Sequence, residues 1–272
     1  MSIKKIYLLM ICLICMVFLG TAYKSPKLMV VRAKVANVRA KPVEHSGRYE
    51  LDPFQNTQVE EGEAVWVLEE SHGWARVQCT DQLIYNYTKH RWEGCPGWVR
   101  ASLLTSDLNK MKKLVRHELP VEQLRKIVIL KAAQHLDTMY LWGGCSLFDP
   151  DNTETATGVD CSGLVNWSYR WIGLITPRDA NDQHTKARVI KKSNELQPGD
   201  LVFIASAYKR KEVRHVLIYT GGEEMIEAPK SGEFVRRITF QEKIGLPLVK
   251  LRNGLRVGDK VVYFGTLFEG GK

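Results

Sequence analysis

The chain has 272 residues, of which 44% are hydrophobic and 25% charged, and its formal net charge is +9. Such proportions exclude a disordered or fibrous chain and leave room for one large domain, or two modest ones with a leader. The basic excess fits an anionic polymer such as cell wall, a membrane surface, or a merely solvated set of lysines. No dense arginine tract or zinc-finger spacing singles out nucleic acid, so none is expected as a partner.

Residues 1–22 read as a signal peptide or membrane anchor. Lys4 and Lys5 precede an apolar run from Ile6 to Leu19, and Gly20, Thr21 and Ala22 are small enough to flank a cleavage site. The run is shorter than the ~20 residues of a spanning helix, which favours export, to a periplasm or cell envelope, over retention. Cys12 and Cys15 each follow Ile, where a lipidation signal wants a small residue.

Residues 28–105 carry short alternating runs at Met29–Val35, Ala64–Leu68, Trp74–Gln78 and Gly97–Val99, separated by turn residues. Short strands at such spacing predict a small all-β barrel with its aromatics in the core. The polar, basic stretch 106–119 is expected to be a linker, with a helix as one form of it. A second domain then spans residues 120–268. Pro120 opens a helix predicted over Val121–Leu136, with Leu124, Ile127, Ile129, Leu130, Ala133 and Leu136 as its buried stripe. Tyr140-Leu141-Trp142-Gly143-Gly144 reads as a strand breaking into a tight turn.

The most informative stretch is Asp160-Cys161-Ser162-Gly163-Leu164-Val165. Apolar residues at Val165, Trp167, Trp171, Ile172 and Leu174 continue at mostly helical spacing, and Gly173 stands where a C-terminal cap belongs. A cysteine in the first helical turn faces unsatisfied N–H groups and the positive end of the macrodipole, which favour the attacking thiolate. A small apolar plug in a core is the competing use of such a residue.

Downstream, Leu196-Gln197-Pro198-Gly199-Asp200 is a turn feeding a strand at Leu201–Phe203, followed by strands at His215–Tyr219 and Met225–Ala228. Further strands are expected near Pro247–Leu251 and Val261–Phe264. Helices first and an antiparallel meander afterwards make an α+β domain.

Cys161 needs a base, and His215, opening its strand, is the best-placed histidine. Glu227 is the candidate third member that would accept the other imidazole N–H. With a three-residue loop at 221–223, residues 217 and 227 face each other, and His215 and Glu227 share a face; a two-residue loop would separate them. No CxxC pair or histidine-rich cluster offers a metal site, and no cofactor is expected. Cys79 and Cys95 flank one loop and could pair, whereas Cys145 is either free or a redox partner of Cys161.

Tyr140-x-Trp142-Gly143-Gly144, Asp160-Cys161-Ser162-Gly163-Leu164-Val165, Arg178-Asp179-Ala180, Leu196-x-Pro198-Gly199-Asp200-Leu201 and His215-Val216-x-Ile218-Tyr219, in that order, resemble the NlpC family of cell-wall cysteine peptidases. The resemblance implies a papain-like fold over residues ~120–265, with Cys161 as nucleophile and His215 as base. Gly62–Leu68, Gly73-Trp74 and Pro96–Val99 resemble the bacterial SH3-like domain of one branch. Members of that branch cut the γ-D-glutamyl–diamino-acid bond of peptidoglycan stem peptides. The same resemblance implies that Tyr140, Asp160, Ser162 and Asp179 line the substrate, with Asp179 and also Asp160 as candidates to hold its ammonium group.

The chain departs from the pattern at two places. Glu227 stands where the family usually has His, sometimes Asn or Gln, and a carboxylate there is expected to favour a resting thiolate–imidazolium pair. Cys95 stands where the branch usually has Tyr, and Asn56 near its usual Glu, so a demand for a free N-terminal L-Ala does not carry over automatically. Two other functions remain open: a non-catalytic wall-binding protein with a vestigial peptidase domain, and another amidase or acyltransferase on the same fold.

Overall fold

The computed structural model describes residues 25–268 apart from 46, 48 and 153, so the leader expected at residues 1–22 lies outside the described residues. Among the described residues, no helix is long and apolar enough to cross a membrane.

Seven strands make the first sheet: β1 (Lys27–Val31), β2 (Val35–Arg39), β3 (Gln55–Glu60), β4 (Ala64–Ser71), β5 (Trp74–Asn86), β6 (Arg91–Arg100) and β7 (Leu104–Thr105). They pair in the order β3-β2-β6-β5-β4-β1-β7, antiparallel throughout. The expected barrel is therefore corrected: no pairing joins β3 to β7, and the sheet does not close. Val31, Ala36, Val38, Val65, Ala75, Val77 and Val99 fill its core, as alternation requires. The run expected at Met29–Val35 splits in two. Its turn at Arg32–Lys34 is pinned by Gly62 N–H donating to the Val31 carbonyl and Glu61 N–H to that of Lys34.

The pair β5–β6 runs well past the expected strands. Its register, Gln78 opposite Pro96, shifts by the next pair to Leu83 opposite Gly94. This irregularity bends the hairpin away from the sheet and toward the second domain. Cys79 and Cys95, near the shift, are buried and both free.

The linker shows one 3₁₀ turn at Leu108–Lys110 and no α-helix. Helix α1 (Val121–Ala133) follows, three residues shorter than expected and rotated. Arg125, Val128 and Ala132 face inward, while Leu130 is exposed. The rotation has a polar cause: Arg125 donates to Asp200 (2.8 Å) and to the Pro198 carbonyl (3.0 Å) and lies over the Phe268 ring. The Tyr140 segment forms single bridges, Met139 with Phe234 and Cys145 with Val159, rather than a strand.

Next come α2 (Cys161–Arg170), α3 (Ala180–Lys186), β8 (Arg188–Val189), β9 (Leu201–Ser206), β10 (Lys209–Gly221), β11 (Glu224–Glu227), β12 (Arg236–Thr239), α4 (Phe240–Ile244), β13 (Leu255–Val257) and β14 (Lys260–Thr266). The second sheet runs β12-β11-β10-β9-β14-β13, with β8 against β14. The expected strand near Pro247–Leu251 is a 3₁₀ turn, Leu248–Lys250. Strand β9, nearly continuously apolar, is buried on both faces. Val128, Leu164, Val165 and Tyr169 of α1 and α2 pack with Phe203, Val216 and Ile218 in one cluster. Leu217, Met225, Phe240 and Phe264 form the layer on the other side. The two sheets and the helices before them make an α+β architecture.

His135, just past α1, is fully buried, has no hydrogen-bond partner for either ring nitrogen, and meets Trp167 edge-on at 4.6 Å. Burial pulls its pKa from 6.5 down to about 4. The unfolded chain therefore binds a proton that the folded chain refuses, and stability falls as pH drops between those values. From this group alone, stability at pH 5 is expected to be about 2 kcal/mol below that at pH 7. His135→Leu should remove that difference in urea titrations at the two pH values.

Candidate active site

Helix α2 begins where the chain can cap it. Asp160, in extended conformation, accepts from Gly163 N–H through Oδ1 at 2.6 Å. Gly163 is required sterically, because a Cβ there would lie 1.9 Å from the Gly144 carbonyl oxygen. The first turn is thus pressed against the 143–144 turn, and Cys161 is left half-buried at its start.

Arg178 organises this corner. It is 1% exposed, and all five of its N–H groups find acceptors. Nε donates to Thr57 Oγ1 (2.7 Å), Nη1 to Asp160 Oδ1 (3.1 Å) and Ser162 Oγ (3.0 Å), and Nη2 to Asp160 Oδ2 (2.7 Å) and the Gly144 carbonyl (3.4 Å). Asp160 Oδ2 also accepts from Gly143 N–H at 3.1 Å, and Ser162 Oγ donates back to Oδ1 at 3.2 Å. Thr57 donates in turn to Gln82, whose amide donates to the Gln58 carbonyl at 2.6 Å. The first sheet thereby supports the start of the thiol helix.

Asp160 and Ser162 are buried, and both of their side chains are engaged with Arg178 and the turn. Asp179 differs: its exposed carboxylate neither caps α3 nor takes a hydrogen bond among the described residues. Partial desolvation, then the charges of Asp160 and Asp182, raise its pKa against the pull of Arg178. Beside it the β5–β6 hairpin docks on α3. Arg178 N–H donates to the Leu83 carbonyl (2.7 Å), Asp182 accepts from Tyr85 N–H (2.7 Å), and the Tyr87 hydroxyl reaches Asp182 at 2.9 Å.

His215 and Glu227 meet directly, and Cys161 lies near the same strand: the N–H groups of Val216, the neighbour of His215, and of Ser162 favour its thiolate. His215 lies inside β10, not at its start, opposite Ile204 and just past a register shift. The hairpin has Ile218 opposite Ile226, which continues to 217 opposite 227 as expected. The loop itself is a two-residue turn, Gly222-Glu223, and a bulge between Tyr219 and Gly221 restores the parity that such a turn would have lost. His215 Nε2 accordingly meets Glu227 Oε2 at 2.7 Å. This leaves Nδ1 for proton exchange.

Glu227 is fully buried and triply held. Besides His215, Lys243 Nζ donates to Oε2, while Arg236 donates to Oε1 through Nε (3.1 Å) and Nη2 (2.9 Å). Burial works against its charge, but the bonds from His215 and Lys243 prevail and hold its pKa at about 2. Burial lowers the pKa of His215; the Glu227 bond opposes this, and Lys243 and Arg236 reinforce it. Burial and the nearby Asp160 charge push the Cys161 thiol up to about 12, against the Val216 and Ser162 N–H groups and Arg178. Both directions run against the expected resting ion pair: burial disfavours the thiolate and the imidazolium alike, and the cations on Glu227 offset its pull on the ring.

Tyr140 is buried close enough to Asp160 and Cys161 for their charges to raise its pKa, after burial itself. Cys145 is no redox partner here. It is fully buried, donates to Asn166 Oδ1 (3.3 Å) and accepts from Arg170 (3.4 Å). Among the described residues, no group of three or more His, Cys, Asp or Glu side chains is arranged to hold a metal ion. Sequence reasoning missed Thr57, Gln82, Arg236 and Lys243, and quoted Arg178 only as part of a motif. A lone lysine or threonine carries no spacing signal, and its partner is distant in the chain.

Residues 137–246 match the sequence profile described as the NlpC/P60 family. The bifunctional muramidase/DL-endopeptidase CwlT of Bacillus subtilis is 39% identical over 105 residues, covering 39% of this chain and 29% of that protein. The gamma-D-glutamyl-L-lysine dipeptidyl-peptidase of the same organism is 35% identical over 117 residues, covering 43% and 36%. The probable endopeptidase YafL of Escherichia coli is 34% identical over 148 residues, covering 52% and 55%. The chain therefore spans only about a third to a half of these relatives' lengths. A crystal structure of an NlpC/P60 family protein from Bacillus cereus superposes with a TM-score of 0.64 at 18% identity, over 80% of this chain and 95% of that one. At that identity the likeness is one of fold.

Arg178→Met would strand the Asp160 carboxylate in a buried site. Thermal and urea unfolding should show a loss of about 3–5 kcal/mol, the usual cost of breaking a buried pair from one side. Arg178→Lys should recover only part of it, because one ammonium cannot reach Thr57, Asp160, Ser162 and Gly144 together.

Proposed function

The chain belongs to the NlpC/P60 family through residues 137–246, and on that premise we propose that it is a peptidoglycan cysteine endopeptidase acting in the cell envelope. The finer reading is cleavage of the bond between γ-D-Glu and the diamino acid of a stem peptide. One observation carries it above all: a half-buried thiol at a helix start lies against the strand whose histidine is oriented by a buried carboxylate. In this reading residues 28–105 form an SH3-like wall of the groove, residues 106–119 the linker and residues 120–268 the catalytic domain.

The chemistry starts from the Cys161 thiol and the His215 imidazole. As the Cys161 sulfur attacks the γ-carbonyl carbon, its proton passes to His215 Nδ1, and Glu227 stabilises the imidazolium that forms. The Cys161 N–H, at the first position of α2, would donate to the oxyanion. His215 then gives its proton to the departing amine as the C–N bond breaks, leaving a thioester. Water attacks the thioester, giving one proton to His215, which returns it to the sulfur. Asp179 and the hairpin beside it would hold the ammonium end of the peptide.

Cys161→Ala should abolish release of L-Ala-γ-D-Glu from a purified tripeptide, read by mass spectrometry, with a melting temperature near that of the wild type. Equal turnover by the variant would refute the assignment; a wild type that binds the peptide without turnover would point instead to a vestigial wall-binding domain. Iodoacetamide should label Cys161 before Cys145, Cys79 or Cys95, which are buried. Because His215 is held below its usual 6.5, the base stays neutral into mildly acidic solution. The acid limb of kcat/KM is therefore expected to have its midpoint below pH 6.5, and a midpoint above it would contradict the site's electrostatics.

A further inference from the structure

A carboxylate beside a catalytic imidazole ordinarily does two things: it orients the ring, and its charge draws a proton onto it. Glu227 is placed to do the first with the second largely cancelled. Two cations share its two oxygens with the ring, Arg236 on Oε1 and Lys243 on Oε2, the oxygen that also meets His215.

The cations are not equivalent. Arg236 is 45% exposed at its side chain and divides itself between Glu227 and Glu233. Lys243 is 19% exposed and is carried by α4, a short helix fixed at both ends. Thr239 and Glu242 form a capping box at its start, Gly245 ends it in left-handed conformation, and Lys260 Nζ donates to the Lys243 carbonyl at 2.8 Å. A lysine built into so constrained a turn can hold one carboxylate oxygen in place.

From this geometry we infer that Lys243 is a positioning residue for His215: by sharing Oε2 with the ring it fixes the plane of Glu227 and leaves the imidazole free to accept the thiol proton. The inference rests on the reading of Cys161 and His215 as the reacting pair. The groups facing His215 are few. Ile204 of β9 lies opposite and is apolar, α2 brings Cys161 with Asp160 behind it, β11 brings Glu227, β12 Arg236, and α4 Lys243. Glu227 draws the proton on, while desolvation, Lys243 and Arg236 keep it off. Removing the lysine charge shifts that balance toward the imidazolium, which cannot act as a base.

Lys243→Met in the full chain tests this, with Lys243→Arg as the conservative control. The His215 ring resonances, followed by NMR against pH, should titrate at a higher midpoint in Lys243→Met and near the wild-type midpoint in Lys243→Arg. The acid limb of kcat/KM on the tripeptide should move the same way, with activity at pH 6 down about tenfold against a smaller loss at pH 8. A Lys243→Met protein that keeps both the His215 midpoint and the acid limb of the wild type overturns the inference. Should that variant fail to fold, the wild type still decides: the Lys243 side-chain resonances should inflect at the His215 midpoint, and their failure to do so overturns it equally. If the wild type does not cleave the tripeptide, the peptidase reading fails, while the titration still judges Lys243.

Discussion

The buried pairing of Arg178 with Asp160 is the constraint on which the rest of the site depends. Removing a guanidinium and a carboxylate from water costs several kcal/mol for each ion, and close geometry with every remaining donor satisfied is what offsets it. Here the guanidinium reaches Thr57 on β3, Asp160 and Ser162 at the start of α2, and the Gly144 carbonyl of the preceding turn. Three distant stretches of chain are tied to one plane. The cysteine sits in the middle of that arrangement, between the two residues that Arg178 grips. Its position is therefore a property of both sheets, not of the helix alone.

A second theme is charge compensation around the thiol and the imidazole. Each member of the pair has a buried carboxylate nearby, and each carboxylate is matched by cations: Asp160 by Arg178, Glu227 by Lys243 and Arg236. The thiol and the imidazole consequently feel desolvation first, which pushes both toward their uncharged forms. In such a site proton transfer accompanies attack, and the carboxylate beside the imidazole matters most once the ring is charged. Asp179 breaks the pattern, exposed and without a hydrogen-bond partner among the described residues.

The hairpin that extends β5 and β6 ties the first sheet to the neighbourhood of Asp179. By docking on α3 through Leu83, Tyr85 and Tyr87, it places aromatic side chains from the first sheet next to Asp179. The solved Bacillus cereus structure shares a fold that extends over most of this chain, beyond the matched family segment.

The sequence by itself determined the α+β class, the helix that begins at Cys161, and the strands that carry His215 and Glu227, whereas the bulge that sets those two on one face came only with the structure. All three rest on local periodicity, a capping residue and turn chemistry, which act over a few residues. Only the tertiary structure decided that Asp160 pairs with Arg178, that α1 turns Arg125 inward toward Asp200, and that β2 and β3 belong to an open sheet. It alone brought Lys243 and Arg236 onto Glu227, and with them the offset to that carboxylate's pull on the ring. Buried charges choose partners by proximity in space across 16 or 18 residues of sequence, or 75, and no pattern along the chain records that choice.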